Sequence, residues 1–227
     1  MKVFLDGPNF NEIKNIKNID GYTFNPSLFK QLGAKNYINF VKKIIQLTKN
    51  KDISIEVIGD DYKSCLQQAV KISKISKFIR VKIPICYSNG KTTKLLIKEL
   101  VNLNIPLNIT AIFTIKQIEE TIDALNNNVN SIISIFAGRI ADTGVDPVPY
   151  IIKAKDLIGD NENMMTLWAS TRQIYSIFEA DKVGCDIITV PHEMLNKLDI
   201  LGKNLEEYSL ETVNQFYKDA ISSNFNI

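Results

Sequence analysis

Residues 78–85 read Phe78-Ile79-Arg80-Val81-Lys82-Ile83-Pro84-Ile85. The short β-branched run predicts a buried strand, with Ile79, Val81, Ile83 and Ile85 on one face and Lys82 on the other. Lysine is almost never fully buried without a reason. Desolvation lowers a lysine's affinity for its proton, and the freed amine can attack a carbonyl to form a Schiff base. The competing reading is a lysine on an edge strand whose head snorkels to water.

Outward from this run the pattern repeats. Strand-like segments fall at 2–6, 21–25, 53–59, 106–112, 131–137, 164–170 and 185–190. Helical periodicity lies between them at 35–49, 61–76, 91–103, 114–126, 147–157 and 171–182, and again at 208–222. Thr114 with Gln117, and Ser170 with Gln173, have capping-box spacing at two helix starts. No Gly/Ser-rich or Pro-rich linker divides the chain, so residues 1–227 are expected to form a single domain. Strands alternating with helices over this length predict an α/β chain, a (β/α)8 TIM barrel with an additional C-terminal helix near 208–222. An open doubly wound sheet is the alternative, and no GxGxxG or phosphate-loop glycine pattern supports it.

The barrel reading gives the polar strand residues a place. In each of the middle strands one face is apolar: Ile53, Ile55 and Val57; Leu107, Ile109 and Ala111; Ile133, Ile135 and Ala137. These faces are expected to meet the helices. Ser54 and Glu56, Asn108 and Thr110, and Ser134 and Phe136 then point inward with Lys82. In the strand at 164–170, Met165, Leu167 and Ala169 are assigned to the helix side, and Trp168 and Ser170 to the interior. Asp6 and Asn25 end the first two strands. Many of the polar groups thus fall near the carboxyl ends of strands, where barrel active sites lie.

The chain's 227 residues are 45% hydrophobic and 23% charged, with a net charge of +2. That balance argues against a nucleic-acid or membrane partner. No apolar run reaches the roughly 20 residues of a spanning helix. Met1-Lys2-Val3-Phe4-Leu5-Asp6 meets an acid too early for a secretory signal. The scattered cysteines Cys65, Cys86 and Cys185 fit a reducing cytoplasm and lack metal spacing. His192 is the only histidine, which argues against Ser-His-Asp triads and multi-histidine metal sites. Acid–base work falls to carboxylates, lysines or tyrosines, with no metal or organic cofactor expected. His192, after Pro191 at a helix start, reads as structural, and Cys86 as a small filler residue.

Asp6 and Glu56 near one lysine read in two ways: as its ion-pair partners, or as the proton shuttles that imine formation and carbon–carbon cleavage need. Arg139 and Arg172 follow the sixth and seventh strands. Arg172 is expected in the first turn of a helix, where the macrodipole disfavours a cation unless an anion binds there. Late barrel loops are frequent phosphate sites. Two solvated surface arginines are the competing reading.

Together these stretches resemble the transaldolase family, in particular its short single-barrel branch that includes fructose-6-phosphate aldolase. The resemblance is carried by Asn25-Pro26-Ser27, Ser54-Ile55-Glu56-Val57 and Val81-Lys82-Ile83-Pro84. It continues through Asn108-Ile109-Thr110-Ala111-Ile112-Phe113 and Ser134-Ile135-Phe136-Ala137-Gly138-Arg139-Ile140. It closes with Ala169-Ser170-Thr171-Arg172 and Asp186-Ile187-Ile188-Thr189-Val190-Pro191. The resemblance implies that Lys82 forms a Schiff base with a ketose and that Asp6 takes and returns the C4 hydroxyl proton. It implies that Glu56 and Thr110 hold a proton-relaying water. Asn25, Asn108 and Ser134 would hold a dihydroxyacetone unit, and Arg139, Ser170 and Arg172 a phosphate.

Glu56 and Phe136 resemble transaldolases, whereas the aldolase branch usually has Gln and Tyr there. The implied activity is transfer of dihydroxyacetone from a ketose phosphate, fructose 6-phosphate or sedoheptulose 7-phosphate, to an aldose phosphate. The alternatives are an aldolase that releases free dihydroxyacetone and a non-catalytic sugar-phosphate-binding barrel. Phe24 and Trp168 depart from the family pattern, and Trp168 is expected to narrow the acceptor pocket. The short branch also implies a homo-oligomer, a pentamer or decamer, with the terminal helix packed on a neighbouring subunit.

Overall fold

The computed structural model describes residues 1–125 and 129–223. The predicted helix end at 126 lies outside the described residues. Strand β1 (Lys2–Asp6) leads through α1 (Phe10–Asn15) to β2 (Gly21–Phe24). Helices α2 (Pro26–Gln31) and α3 (Tyr37–Leu47) precede β3 (Asp52–Glu56). Then come α4 (Tyr62–Ser73), β4 (Ile79–Pro84), α5 (Lys94–Asn102), β5 (Leu107–Ile112), α6 (Ile115–Ala124) and β6 (Ser131–Ile135). Helices α7 (Ala137–Asp142) and α8 (Val148–Ile158) lead to β7 (Met164–Trp168), followed by α9 (Tyr175–Lys182) and β8 (Ile187–Pro191). The chain ends with α10 (His192–Leu195), a 3-10 turn (Leu198–Ile200) and α11 (Leu205–Ser222).

The strands pair in chain order, and β8 returns to β1 to close a parallel barrel. This is the (β/α)8 architecture that the alternation predicts, and it excludes the open sheet. Closure leaves no unpaired strand edge, so Lys82 has no edge from which to snorkel.

Strand alternation sorts side chains into two cores. Ile53, Ile55, Ile79, Val81, Ile83, Leu107, Ile109, Ile133 and Ile135 pack outward in the large core shared with the helices. Phe4, Ile132, Leu167, Ala169 and Ile187 form a separate cluster inside the barrel. Gly21 makes room for that inner cluster: a Cβ there would sit 2.6 Å from the Phe4 ring.

The outward and inward assignments hold for β3 to β6, except that Ile112 takes the outer-core place expected of Ala111 where the β5–β6 register shifts, and they reverse in β7. Leu167 and Ala169 point into the barrel, and Trp168 is buried in the outer core. The segment 164–169 is apolar on both faces but for Thr166, so no polar residue marks its inner side. The indole sits in the layer between sheet and helices, and the barrel interior takes Leu167 and Ala169. Trp168 therefore does not narrow the cavity. Phe24 likewise packs outward against Phe29, with ring centroids 5.4 Å apart.

The capping box predicted at Thr114 and Gln117 is present. The one predicted at Ser170 and Gln173 is not: α9 begins at Tyr175, after Ile174, with no side-chain cap. Arg172 therefore lies in the loop before the helix, and its expected conflict with a helix dipole does not arise. Several predicted strands overrun because the chain turns at their carboxyl ends. Residue 25, predicted as strand, caps α2 instead, its side chain accepting from Leu28 N at 2.9 Å.

The β7–β8 pairing is short, with Leu167 opposite Ile187 and Trp168 opposite Ile188. Asp186 reinforces this seam. Its carboxylate accepts from Thr166 N and Thr166 Oγ1, each at 2.8 Å, and from Lys155 Nζ at 2.8 Å. Burial works to raise the Asp186 pKa, and Lys155 with the Thr166 bonds outweighs it, leaving the group below its ordinary value. The neighbouring Cys185 thiol is pushed up to about 11 by burial, which keeps it protonated near neutral pH.

Candidate active site

The carboxyl ends of the strands surround a cavity of about 180 Å3. Its wall includes Asp6, Asn25, Lys82, Thr110, Ser134, Phe136, Arg139, Ser170 and Arg172, each singled out from the sequence. Glu56 and Asn108 do not line it, but each contacts a residue that does. Lys82 is 5% exposed, and its Nζ lies 3.1 Å from Glu56 Oε2. β3 and β4 place the two opposite each other in register. A buried ammonium beside a carboxylate can pass a proton to it through a short path, which an imine-forming lysine requires.

Tyr37 braces the pair from α3, its hydroxyl donating to the Glu56 carbonyl oxygen. Burial raises the Tyr37 pKa, and the Glu56 charge pushes it the same way, so the phenol remains a donor.

Asn108 is clamped at both ends of its amide. Its Nδ2 donates to Ser54 Oγ at 2.9 Å, and its Oδ1 accepts from Ser134 Oγ at 2.7 Å. These bonds fix the orientation of the amide beside Ser134, which lines the cavity. Thr110 Oγ1 is buried with no hydrogen-bond partner among the described residues. Strand alternation from Asn108 turns it inward, and a bulge follows it directly. The β5–β6 register shifts between Ile109 and Ile112, and Ala111 takes a φ of +59°. Bulges are common beside active sites, where they end the regular pairing of a strand.

The opposite wall carries the cations. Arg139, on α7, lies 5.5 Å above the Phe136 ring, which itself packs on Phe113 at 5.5 Å. Arg172 Nε donates to Asp142 at 2.9 Å. That bond orients the planar guanidinium and leaves its terminal nitrogens for another anion. Both residues are about half exposed, so the pair is treated as an orienting contact rather than a source of stability. Ser170 follows β7 with a φ of +62°, a left-handed turn that swings it to the cavity although it succeeds the inward Ala169.

Thr23, Leu167, Ala169, Thr171, Thr189 and Pro191 also line the cavity and were not singled out from sequence. The signal for two of them was present in the strand period: Thr23 stands two residues before Asn25, and Thr189 two before Pro191. Thr171 Oγ1 donates to the Thr189 carbonyl at 2.7 Å, tying the loop after β7 to β8. No cluster of three or more metal-ligating side chains occurs among the described residues. Nor is any described helix long and apolar enough to cross a membrane.

The model of one protein family, described as transaldolase/fructose-6-phosphate aldolase, matches residues 3–227. A protein named probable transaldolase from Carboxydothermus hydrogenoformans is 34% identical over 203 residues, which is 87% of this chain and 90% of its own length. Another of that name, from Nitrosopumilus maritimus, is 31% identical over 226 residues, 96% of this chain and 94% of its own. Among solved structures, the N-acetylneuraminate lyase of Mycoplasma synoviae superposes with a TM-score of 0.55 at 12% identity. It covers 96% of this chain and 82% of its own. At that identity the likeness is one of fold.

Proposed function

The chain belongs to the transaldolase/fructose-6-phosphate aldolase family, and from that premise we propose that it is a transaldolase working through a Schiff base on Lys82. The observation that carries this reading is the buried Lys82–Glu56 pair, 3.1 Å apart, at a cavity that also holds Asp6 and two arginines. Lys82 adds to the carbonyl carbon of a ketose phosphate such as fructose 6-phosphate or sedoheptulose 7-phosphate. Glu56 and Thr110 serve the proton transfers that expel water and form the imine. Asp6 takes the C4 hydroxyl proton, the C3–C4 bond breaks, and its electron pair passes into the protonated imine to give an enamine. An aldose phosphate accepts the three-carbon unit by the reverse steps. Asn25, Asn108 and Ser134 hold that unit, and Arg139, Ser170 and Arg172 hold the phosphate. The protonated imine is the electron sink, so no metal or organic cofactor enters.

Two observations favour transfer over release of free dihydroxyacetone. Glu56 can exchange protons where a glutamine could not. Phe136 presents a ring without a hydroxyl at the cavity wall, so it cannot help hydrate the intermediate. Release as an aldolase remains the second reading. The non-catalytic reading loses its motive, since both Phe24 and Trp168 pack outside the barrel.

The deciding experiment is borohydride reduction with fructose 6-phosphate, read by intact mass and peptide mapping, beside turnover with and without an acceptor aldehyde. A three-carbon adduct on Lys82 and turnover that depends on the acceptor are expected. Equal product formation without acceptor would move the reading to an aldolase. Failure of every ketose phosphate tested to form an adduct would remove the Schiff base.

The proposal extends to the assembly: a single-domain chain, 1–227, acting in the cytoplasm as a homo-oligomer, with no nucleic-acid or membrane partner. Every residue of α11 is exposed, including Leu210, Val213, Phe216 and Ile221. A stripe of that kind on one helix is commonly covered by a partner surface. Light scattering should find the full chain as a pentamer or decamer, and a chain ending at Asn204 as a smaller species. A monomeric full chain would rule the assembly out.

A further inference from the structure

Asp6 does not stand alone in the cavity. Its Oδ1 accepts from Thr23 Oγ1 at 2.6 Å, and Thr23 Oγ1 lies 2.7 Å from Thr189 Oγ1. The three side chains belong to β1, β2 and β8, all of them on the cavity wall, and both threonines are buried. A threonine hydroxyl carries one hydrogen and two acceptor sites. Carboxylate oxygens only accept, so the Thr23 hydrogen is committed to Asp6. The hydrogen between the two hydroxyls must then come from Thr189. The chain therefore has a single direction, Thr189 to Thr23 to Asp6. Thr189 Oγ1 has spent its only hydrogen and faces the cavity as an acceptor.

We propose that Thr189 is a positioning residue for carbon–carbon bond cleavage. Through Thr23 it holds the Asp6 carboxylate by Oδ1, leaving Oδ2 to take the substrate proton. The geometry favours this over simple packing. A 2.6 Å bond to a carboxylate is charge-assisted, and a second donor behind it strengthens the first by polarisation. The inference rests on the reading of Asp6 as the base.

The test compares Thr189→Val, which keeps the shape and removes the hydroxyl, with Thr189→Ser, which keeps the hydroxyl. Two rates are read for each: borohydride trapping of the initial imine on Lys82, and release of the aldose phosphate. Thr189→Val should trap imine within about twofold of the parent and cleave about tenfold more slowly in kcat. Thr189→Ser should cleave within about twofold of the parent, a rescue that a packing role would not give. Thr189→Ala serves as the hydroxyl-free variant if the valine protein does not fold. Cleavage at the parent rate in a hydroxyl-free variant overturns the inference, as does a serine variant as slow as valine. Either result leaves the Schiff-base reading standing. A parent protein that traps no ketose phosphate overturns both.

Discussion

Lys82→Met is expected to abolish adduct formation and to lower kcat/KM by ~10^4-fold or more, because it removes the nucleophile and not merely a contact. The change should also cost stability. Lys82 and Glu56 are 7% and 15% exposed at their side chains, and Met leaves the Glu56 carboxylate largely desolvated with no cation. Stripping one partner from a fully buried pair costs about 3–5 kcal/mol. Glu56 keeps some solvent contact, so about 1–3 kcal/mol is the expectation here. The double variant Lys82→Met with Glu56→Gln should regain most of that loss, since an uncharged amide replaces the stranded carboxylate, and should remain inactive. Urea unfolding beside borohydride trapping separates the two effects. Retained adduct formation in Lys82→Met would mean that another amine is the nucleophile.

Gly138→Ala should have the next largest effect. A Cβ at Gly138 would lie 1.8 Å from the Ser170 carbonyl oxygen and 3.1 Å from Arg172 Cγ. Both nearest obstacles, the Ser170 oxygen and its carbonyl carbon at 2.7 Å, are backbone, so no side-chain rotation relieves the clash. The start of α7 must separate from the loop after β7, at a cost of about 2–3 kcal/mol. Arg139 rides on one of these segments, and Ser170 and Arg172 on the other. Their separation would spoil a shared phosphate site, and a displacement near 1 Å is enough to cost about 100-fold. The loss should fall on sugar phosphates, as a raised KM. Trapping of unphosphorylated dihydroxyacetone on Lys82 should change far less. An alanine variant with parental stability and KM would show that the two segments are not held by this approach.

The strand period carried a large part of this protein in the sequence itself. Where one face of a strand is aliphatic and the other polar, as in Ile53-Ser54-Ile55-Glu56 or Leu107-Asn108-Ile109-Thr110, burial leaves one choice of inward face. Eight strand-like segments alternating with helices, several of them patterned in this way, left little besides a barrel. Lys82, Glu56, Asn108 and Ser134 were therefore readable as a converging set, because their neighbours forced them inward.

Tertiary structure decided what that period leaves open. In Met164–Trp168 both faces are apolar but for Thr166, so the strand period alone did not settle the facing, and a residue read as part of the pocket became part of the outer core. The turn at Ser170 and the bulge at Ala111 are left-handed backbone conformations at residues other than glycine, which local preference disfavours and packing imposes. Arg172 could be assigned to the site from sequence, but its orientation depends on Asp142, thirty positions away. The Asp6–Thr23–Thr189 chain joins β1 to β2 and β8, and only barrel closure brings the last strand beside the first. Local pattern determines which side chains are turned away from solvent. Which of them meet depends on closure and hydrogen-bond direction, both properties of the assembled barrel.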